Sequence, residues 1–105
     1  MTDMTVPNTM LAQLGGSRFK AMTGATSFAG DETMLSFRLP RNMTKQRAWG
    51  MRITLQQDDL YHLELLTMKD FEVKVVDDRR DVFVENLRET FTDMTGLDTS
   101  LGIAA

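Results

Sequence analysis

The chain has 105 residues, of which 42% are apolar and 26% are charged, and this size and composition are typical of one globular domain. It contains no cysteine, which excludes a disulfide framework, thiolate catalysis and cysteine-bound zinc, and which suits a reducing cytoplasm. No apolar run approaches the roughly 20 residues that cross a bilayer, and the start of the chain lacks the pattern of a signal peptide. We therefore expect a single cytoplasmic domain over residues 1–105 that makes no membrane contact.

The net charge of −3 is distributed unevenly along the chain. Residues 1–55 contain seven Lys and Arg against three Asp and Glu, whereas residues 56–105 contain five against twelve. Such a contrast can present one face to an anion and another face to a basic partner. The two halves can also mix in space and cancel, and the sequence leaves both interpretations open.

The first predicted element is a helix over residues 6–14. Pro7 suits the first turn of a helix, where a backbone N–H has no partner within the helix. Met10 and Leu14 lie on one stripe of this helix, and the glycine pair that follows them ends it. With fewer than three turns, the helix must pack on the rest of the domain.

An antiparallel sheet of four or five strands is predicted across residues 18–76, because the connections are short enough for hairpins. Apolar and polar residues alternate there in five segments, as in strands with one buried face. These segments are residues 18–23, 34–39, 49–55, 60–68 and 71–75. Residues 24–32, between the first two segments, are rich in turn-forming residues and predict a loop.

The last predicted element is an amphipathic helix over residues 81–97. Its apolar residues recur at spacings of three and four and predict one buried stripe, which consists of Val84, Leu87, Phe91 and Met94. Gly96 is placed to cap the C-terminus, and either Asp78 or Asp81 is placed to cap the N-terminus. Residues 98–105 predict a tail. The fold class is therefore α+β, with a short N-terminal helix, an antiparallel meander sheet and a C-terminal helix packed on one face.

The residue types offer little support for an enzyme. The single histidine, His62, lies within a predicted strand, and no serine stands in a G-x-S-x-G turn. Residues 24–30 lack the lysine of a phosphate-binding loop. Asp77, Asp78 and Asp81 are interrupted by two arginines and do not have the spacing of a calcium loop. We expect no catalytic residue, no metal site and no cofactor.

A basic segment over residues 38–52 is one candidate binding site, for nucleic acid or another anion. Its five basic side chains are those of Arg38, Arg41, Lys45, Arg47 and Arg52. Phe37 and Trp49 lie close by, and an exposed aromatic ring can stack on a base. The strand alternation, however, places both aromatic rings in the core. A pI of about 5.0 also argues against a dedicated nucleic-acid binder.

An acidic helix face is the other candidate site. Glu85, Glu89 and Asp93 recur on the side of the C-terminal helix opposite its apolar stripe. Such a face complements a basic surface on a protein partner. The alternative is an ordinary solvated helix face without a binding role.

Four segments of the chain resemble small proteins that are encoded by tailed phages. They read LGGSRFKAMTGA, LPRN, RITL and FTDMTGLDTSL, and they lie at residues 14–25, 39–42, 52–55 and 91–101. The resemblance runs in order along most of the chain. It implies a phage or prophage origin and residence in the cytoplasm of a bacterial host, and it implies no catalytic activity.

Our leading hypothesis from the sequence is a small non-enzymatic module that binds a protein partner of the host or the phage. Its site is the acidic helix face, and its role is inhibition of a host defence or nucleic-acid-handling protein. One alternative is an accessory protein that binds nucleic acid through the basic segment. Another is a virion or assembly component that forms homo-oligomers through sheet edges.

Overall fold

The computed structural model describes residues 4–97 and residue 99. Five strands form one antiparallel sheet in which each strand pairs with the next along the chain. This arrangement confirms the predicted α+β fold with a meander sheet. The elements are α1 (Thr5–Leu14), α2 (Ser17–Thr23), β1 (Thr26–Gly30), β2 (Met34–Arg38), β3 (Gly50–Leu55), β4 (Tyr61–Lys69), β5 (Glu72–Val82) and α3 (Leu87–Thr95).

The prediction of a strand over residues 18–23 is wrong, because these residues form α2. Gly15 and Gly16 both have positive φ values and reverse the chain between α1 and α2. Phe19 and Thr23 are buried one helical turn apart, and the Thr23 hydroxyl donates a hydrogen bond to the Phe19 carbonyl at 2.7 Å. An apolar pattern over only six residues fits a short helix as well as a strand, so it could not distinguish the helical period from the strand period.

The sheet occupies residues 26–82 and not residues 18–76. The predicted loop over residues 24–32 contains β1, a strand of small residues whose register shifts between Thr26 and Ala29. At the other end, β5 continues to Val82 through five charged residues, of which the first four were predicted to lead into the last helix and the fifth to begin it. Both strands lie at sheet edges, where burial is incomplete and apolar alternation is weak.

The C-terminal helix is shorter than the predicted span of residues 81–97. A 3₁₀ turn over Val84–Asn86 precedes α3, and its N-cap residue is Asn86. Asp78 and Asp81, the predicted caps, both belong to β5. Gly96 caps the C-terminus with a φ of 80°, as predicted.

The predicted apolar stripe of the last helix is correct for three of its four residues. Leu87, Phe91 and Met94 are buried, but Val84 is 46% exposed because it lies in the turn before the helix begins. The predicted tail, residues 98–105, lies outside the described residues except for Thr99, which is buried.

The helices cover one face of the sheet. Phe19 of α2 lies at the centre of the core, with its ring centroid 5.5 Å from that of Phe37 on β2 and 5.1 Å from that of Phe91 on α3. Among the described residues, no helix covers the opposite face, which we call the open face. Within the same part of the chain, no helix is long and apolar enough to span a membrane.

Candidate functional site on the open face of the sheet

One half of the open face carries charged side chains that pair with each other. Arg52 on β3 lies opposite Glu64 on β4, and its guanidinium donates two hydrogen bonds to the carboxylate at 2.9 and 3.0 Å. His62 Nε2 lies 3.1 Å from an Asp78 carboxylate oxygen, and Arg80 Nε lies 3.6 Å from the same oxygen. Because these charges compensate one another, Arg52 does not act with the rest of the predicted basic segment.

The hydrogen bonds from Arg52 lower the pKa of Glu64 below its ordinary value, although partial burial opposes this shift. The same hydrogen bonds raise the pKa of Arg52, so the pair stays ionised at neutral pH.

Replacing Glu64 by glutamine is expected to destabilise the protein at neutral pH and to matter less in acid. The folded-state pKa of Glu64 lies below the ordinary value that the group has in the unfolded chain. The stabilisation is therefore complete above that value and is lost as the pH falls through the folded-state pKa. Since Arg52 is 41% exposed, we expect a difference of at most about 1 kcal/mol. Urea unfolding of both proteins from pH 7 to pH 3 measures it, and a difference that does not change with pH would contradict the assignment.

The other half of the open face carries exposed apolar side chains. Met68 on β4 pairs with Val73 on β5, and Leu66 pairs with Val75, so all four lie on the same face of the hairpin. Met68, Val73 and Val75 are between 45% and 53% exposed. Together with the residue at the hairpin tip, these three form what we call the apolar patch, which consists of Met68, Phe71, Val73 and Val75, whereas Leu66 is buried.

Phe71 extends the patch at the tip of the β4–β5 hairpin. Its side chain is 98% exposed. Asp70 and Phe71 both have positive φ values, 53° and 65°, as the central residues of a tight two-residue hairpin turn do. Asparagine or glycine favours this conformation, whereas a bulky aromatic residue there is strained. Neither local backbone preference nor core packing therefore explains a phenylalanine at this position.

Trp49 borders the apolar patch and is not part of the core cluster, so the prediction that it points into the core is wrong. Its backbone is fixed on both sides, since its N–H donates to Leu66 and its carbonyl accepts from Leu39. The half-buried ring lies below the Arg38 guanidinium, 5.5 Å from ring centroid to Arg38 Cζ. Phe37, in contrast, is 3% exposed and belongs to the core, as predicted.

Three arginines beside Trp49 lack a carboxylate partner among the described residues, and we call them the basic rim: Arg38, Arg41 and Arg47. Arg41 lies in a 3₁₀ turn, and Arg47 has a φ of 53°, next to Gln46 with a φ of 58°. Lys45, the fifth predicted basic residue, is occupied elsewhere, since its ammonium group donates to the Asp93 carbonyl at 3.0 Å. The predicted basic segment is thus reduced to three residues.

The predicted acidic helix face is only partly free. Asp93 accepts a hydrogen bond from Arg79 at 2.8 Å, and the hydrogen bonds of Arg79 to Asp77 and to Asp93 raise the pKa of this arginine. Glu89 is exposed on α3, and Glu85 is exposed in the turn before it. Because Lys45 and Arg79 both reach Asp93, the acidic and basic parts of the chain mix at this point.

The aspartates of β5 also have partners. Asp77 accepts from Arg79, Asp78 lies beside His62, and Asp81 accepts from Gln56 at 2.9 Å. Within residues 4–97 and 99, no group of three or more His, Asp or Glu side chains is arranged to hold a metal ion.

Sequence reasoning missed the apolar patch. The alternation of Phe71, Val73 and Val75 predicted a buried face, because period two identifies one side of a strand but not what covers it. The sequence did contain one indication of the patch, because β4 carries apolar residues on both faces, with Leu66 and Met68 on the second face.

No protein-family model, no curated protein and no solved structure matches this chain. The resemblance to phage proteins therefore stays an expectation.

Proposed function

We propose that this protein is a non-enzymatic binding module that holds an acidic protein partner through the open face of its sheet. The observation that carries the proposal is the apolar patch, with Phe71 98% exposed at its tip. Grouped apolar side chains on a protein surface are characteristic of sites that a partner covers. Aromatic residues and methionine are also enriched at the centres of protein interfaces.

The charge beside the patch supports an acidic partner. Arg38, Arg41 and Arg47 are exposed and have no carboxylate partner among the described residues. A partner that places carboxylates at this basic rim gains attraction at long range and charge-assisted hydrogen bonds at contact.

We favour the open face over the acidic helix face as the docking surface. On the helix, Asp93 is already paired with Arg79, which leaves Glu85 and Glu89. Exposed charges of this kind are strongly hydrated and contribute little when no apolar area is buried with them.

The biological role that we propose is inhibition of a bacterial defence or nucleic-acid-handling protein. It rests on the resemblance to phage proteins, which supports a bacterial cytoplasmic setting. The proposed contact does not require catalysis, since binding alone can block a partner's surface.

Capture from a bacterial lysate tests the docking surface when matched variants are compared. Phe71→Asn/Val73→Thr removes apolar area from the patch, and asparagine tolerates the left-handed turn. Phe83→Asn/Val84→Thr is the control, because it makes similar changes at side chains that are 55% and 46% exposed elsewhere. We expect a stoichiometric partner to be recovered with the parent and the control, and reduced at least tenfold with the patch variant.

Two results would contradict this surface. One is a stoichiometric partner that the patch variant retains. The other is a partner that is lost only with Glu85→Gln/Glu89→Gln, which would return the site to the acidic helix face. Circular dichroism of each variant establishes that the fold is intact.

Nucleic-acid binding is a second candidate function, and the position of Trp49 outside the core favours it. The ring lies beside Arg38, and Arg38 and Arg41 line the same depression. Salt-sensitive binding of a 15-nucleotide oligothymidylate that is lost in Arg41→Gln/Arg47→Gln would support this function. No retention of the oligonucleotide at low salt would exclude it.

A further inference from the structure

We propose that the depression between Arg38, Arg41 and Trp49 is a carboxylate pocket that receives an acidic side chain of the partner. This inference rests on the proposed function and specifies the chemistry of the partner. The depression has a volume of about 290 Å³, and Leu39 and Met68 complete its lining. It is therefore large enough for one or two side chains and opens beside the apolar patch, to which Met68 also belongs.

Two guanidinium groups make the pocket selective for an anion. Neither Arg38 nor Arg41 has a carboxylate partner among the described residues, and no acidic side chain lines the depression. A planar guanidinium can bind both oxygens of a carboxylate with parallel hydrogen bonds. An incoming carboxylate thus meets two positive charges without having to displace an internal carboxylate.

The surrounding structure positions these groups before a ligand arrives. The Trp49 ring lies 5.5 Å from the Arg38 guanidinium and restricts its orientation. The loop that follows Arg41 is closed by a hydrogen bond of 2.6 Å from the Thr44 hydroxyl to the Ala48 carbonyl. Pre-organised side chains lose less conformational entropy on binding, which favours affinity.

The apolar part of the lining favours an acidic side chain over a bare inorganic anion. Leu39 and Met68 can pack against the methylene groups of a glutamate while its carboxylate meets the arginines. Phosphate has no such groups and would leave this part of the pocket in contact with water.

Trp49 provides a further reason for a ligand and a way to detect it. Its indole Nε1–H is buried and has no hydrogen-bond partner among the described residues. A buried donor without an acceptor is unfavourable, and buried tryptophan N–H groups usually have one. A carboxylate that binds at Arg38 shifts the surroundings of the Trp49 ring, which lines the same depression. Because Trp49 is the only tryptophan, its fluorescence reports such a shift directly.

The test is a fluorescence titration of the full chain with a capped hexaglutamate peptide. We expect a saturable change in Trp49 emission, while the matched hexaglutamine peptide produces none. Arg38→Gln and Arg41→Gln should each weaken hexaglutamate binding at least about tenfold, as expected for loss of a charge-assisted hydrogen bond. Arg18→Gln is the matched control, since Arg18 is an exposed arginine on α2, and it should leave binding unchanged.

Several results would overturn the pocket. They are no emission change with hexaglutamate up to millimolar concentration, equal weakening by Arg18→Gln, or inorganic phosphate that binds as tightly as the peptide. Oligothymidylate that binds more tightly than hexaglutamate would overturn the peptide assignment in favour of nucleic acid.

The pocket and the docking surface can fail separately. A partner captured through Phe71 and Val73, without any response to hexaglutamate, would overturn the pocket alone. A response to hexaglutamate that depends on Arg38 and Arg41, with capture insensitive to the apolar patch, would overturn the docking surface alone.

Discussion

Replacing Phe19 by alanine is expected to lower the free energy of unfolding by about 3–5 kcal/mol. The Phe19 ring is fully buried and makes edge-to-face contacts with Phe37 and Phe91, so it joins α2 to both the sheet and α3. Truncation leaves a cavity that three elements would have to close together. Since domains of this size have total stabilities of about 5–15 kcal/mol, the variant should be close to its unfolding threshold at 37 °C.

Phe71→Ala is the control for this experiment, because it is the same substitution at a side chain that is 98% exposed. We expect its stability to lie within about 0.5 kcal/mol of the parent. Urea unfolding followed by circular dichroism measures both variants under one set of conditions. A loss at Phe71 equal to that at Phe19 would mean that the hairpin tip is covered in the folded chain, and it would remove the main support for the docking surface.

The central strands of the sheet and the end of the last helix were predictable from sequence. The central strands β2, β3 and β4 were predicted within one or two residues, because each has one face on the core and therefore alternates with period two. The glycine cap at Gly96 was predicted because a left-handed residue is required there.

The edges of the sheet and the second helix were not predictable in the same way. In β1, Ser27 has a φ of 55° and the register shifts, so the strand lacks a regular pattern. In β5, Arg79 faces α3 and forms an ion pair with Asp93. A charged residue therefore stands where the alternation would place a buried apolar one. Within α2, only Phe19 and Thr23 are buried, which is too few positions to define a period.

The candidate site depends on tertiary structure even more strongly. The sequence identified Arg38, Arg41 and Arg47, but it grouped them with Lys45 and Arg52, whose partners come from distant parts of the chain. Hydrogen bonds between residues 48 and 12 positions apart in the sequence decide which basic side chains remain free to bind a partner. No local sequence pattern contains that information. The apolar patch depends in the same way on tertiary structure, because no helix within residues 4–97 covers the open face.

A single methyl group at Gly30 is expected to destabilise the fold by about 1–3 kcal/mol. Gly30 ends β1 where the first turn of α1 crosses the β1–β2 hairpin. An alanine Cβ at this position would lie 2.7 Å from the Met34 carbonyl oxygen and 2.8 Å from Pro7 Cβ. The φ of Gly30 is not in the left-handed region, so the effect is one of space and not of backbone conformation. Alanine also reduces the freedom of the unfolded chain, which stabilises the folded variant by about 0.4–1 kcal/mol. The steric clash itself therefore costs more than the net loss of stability that is measured.

A double-mutant cycle with Pro7→Gly identifies the cause of that loss. Removing the proline ring eliminates the contacts with α1 but leaves the Met34 carbonyl in place, so Gly30→Ala should destabilise less in the Pro7→Gly background. Urea unfolding of the parent, both single variants and the double variant gives the coupling energy. Additive losses would show that the hairpin alone rejects the methyl group. A combined loss smaller than the sum of the two single losses would show that α1 presses directly on β1, so that the methyl group is rejected by helix packing on the covered face of the sheet.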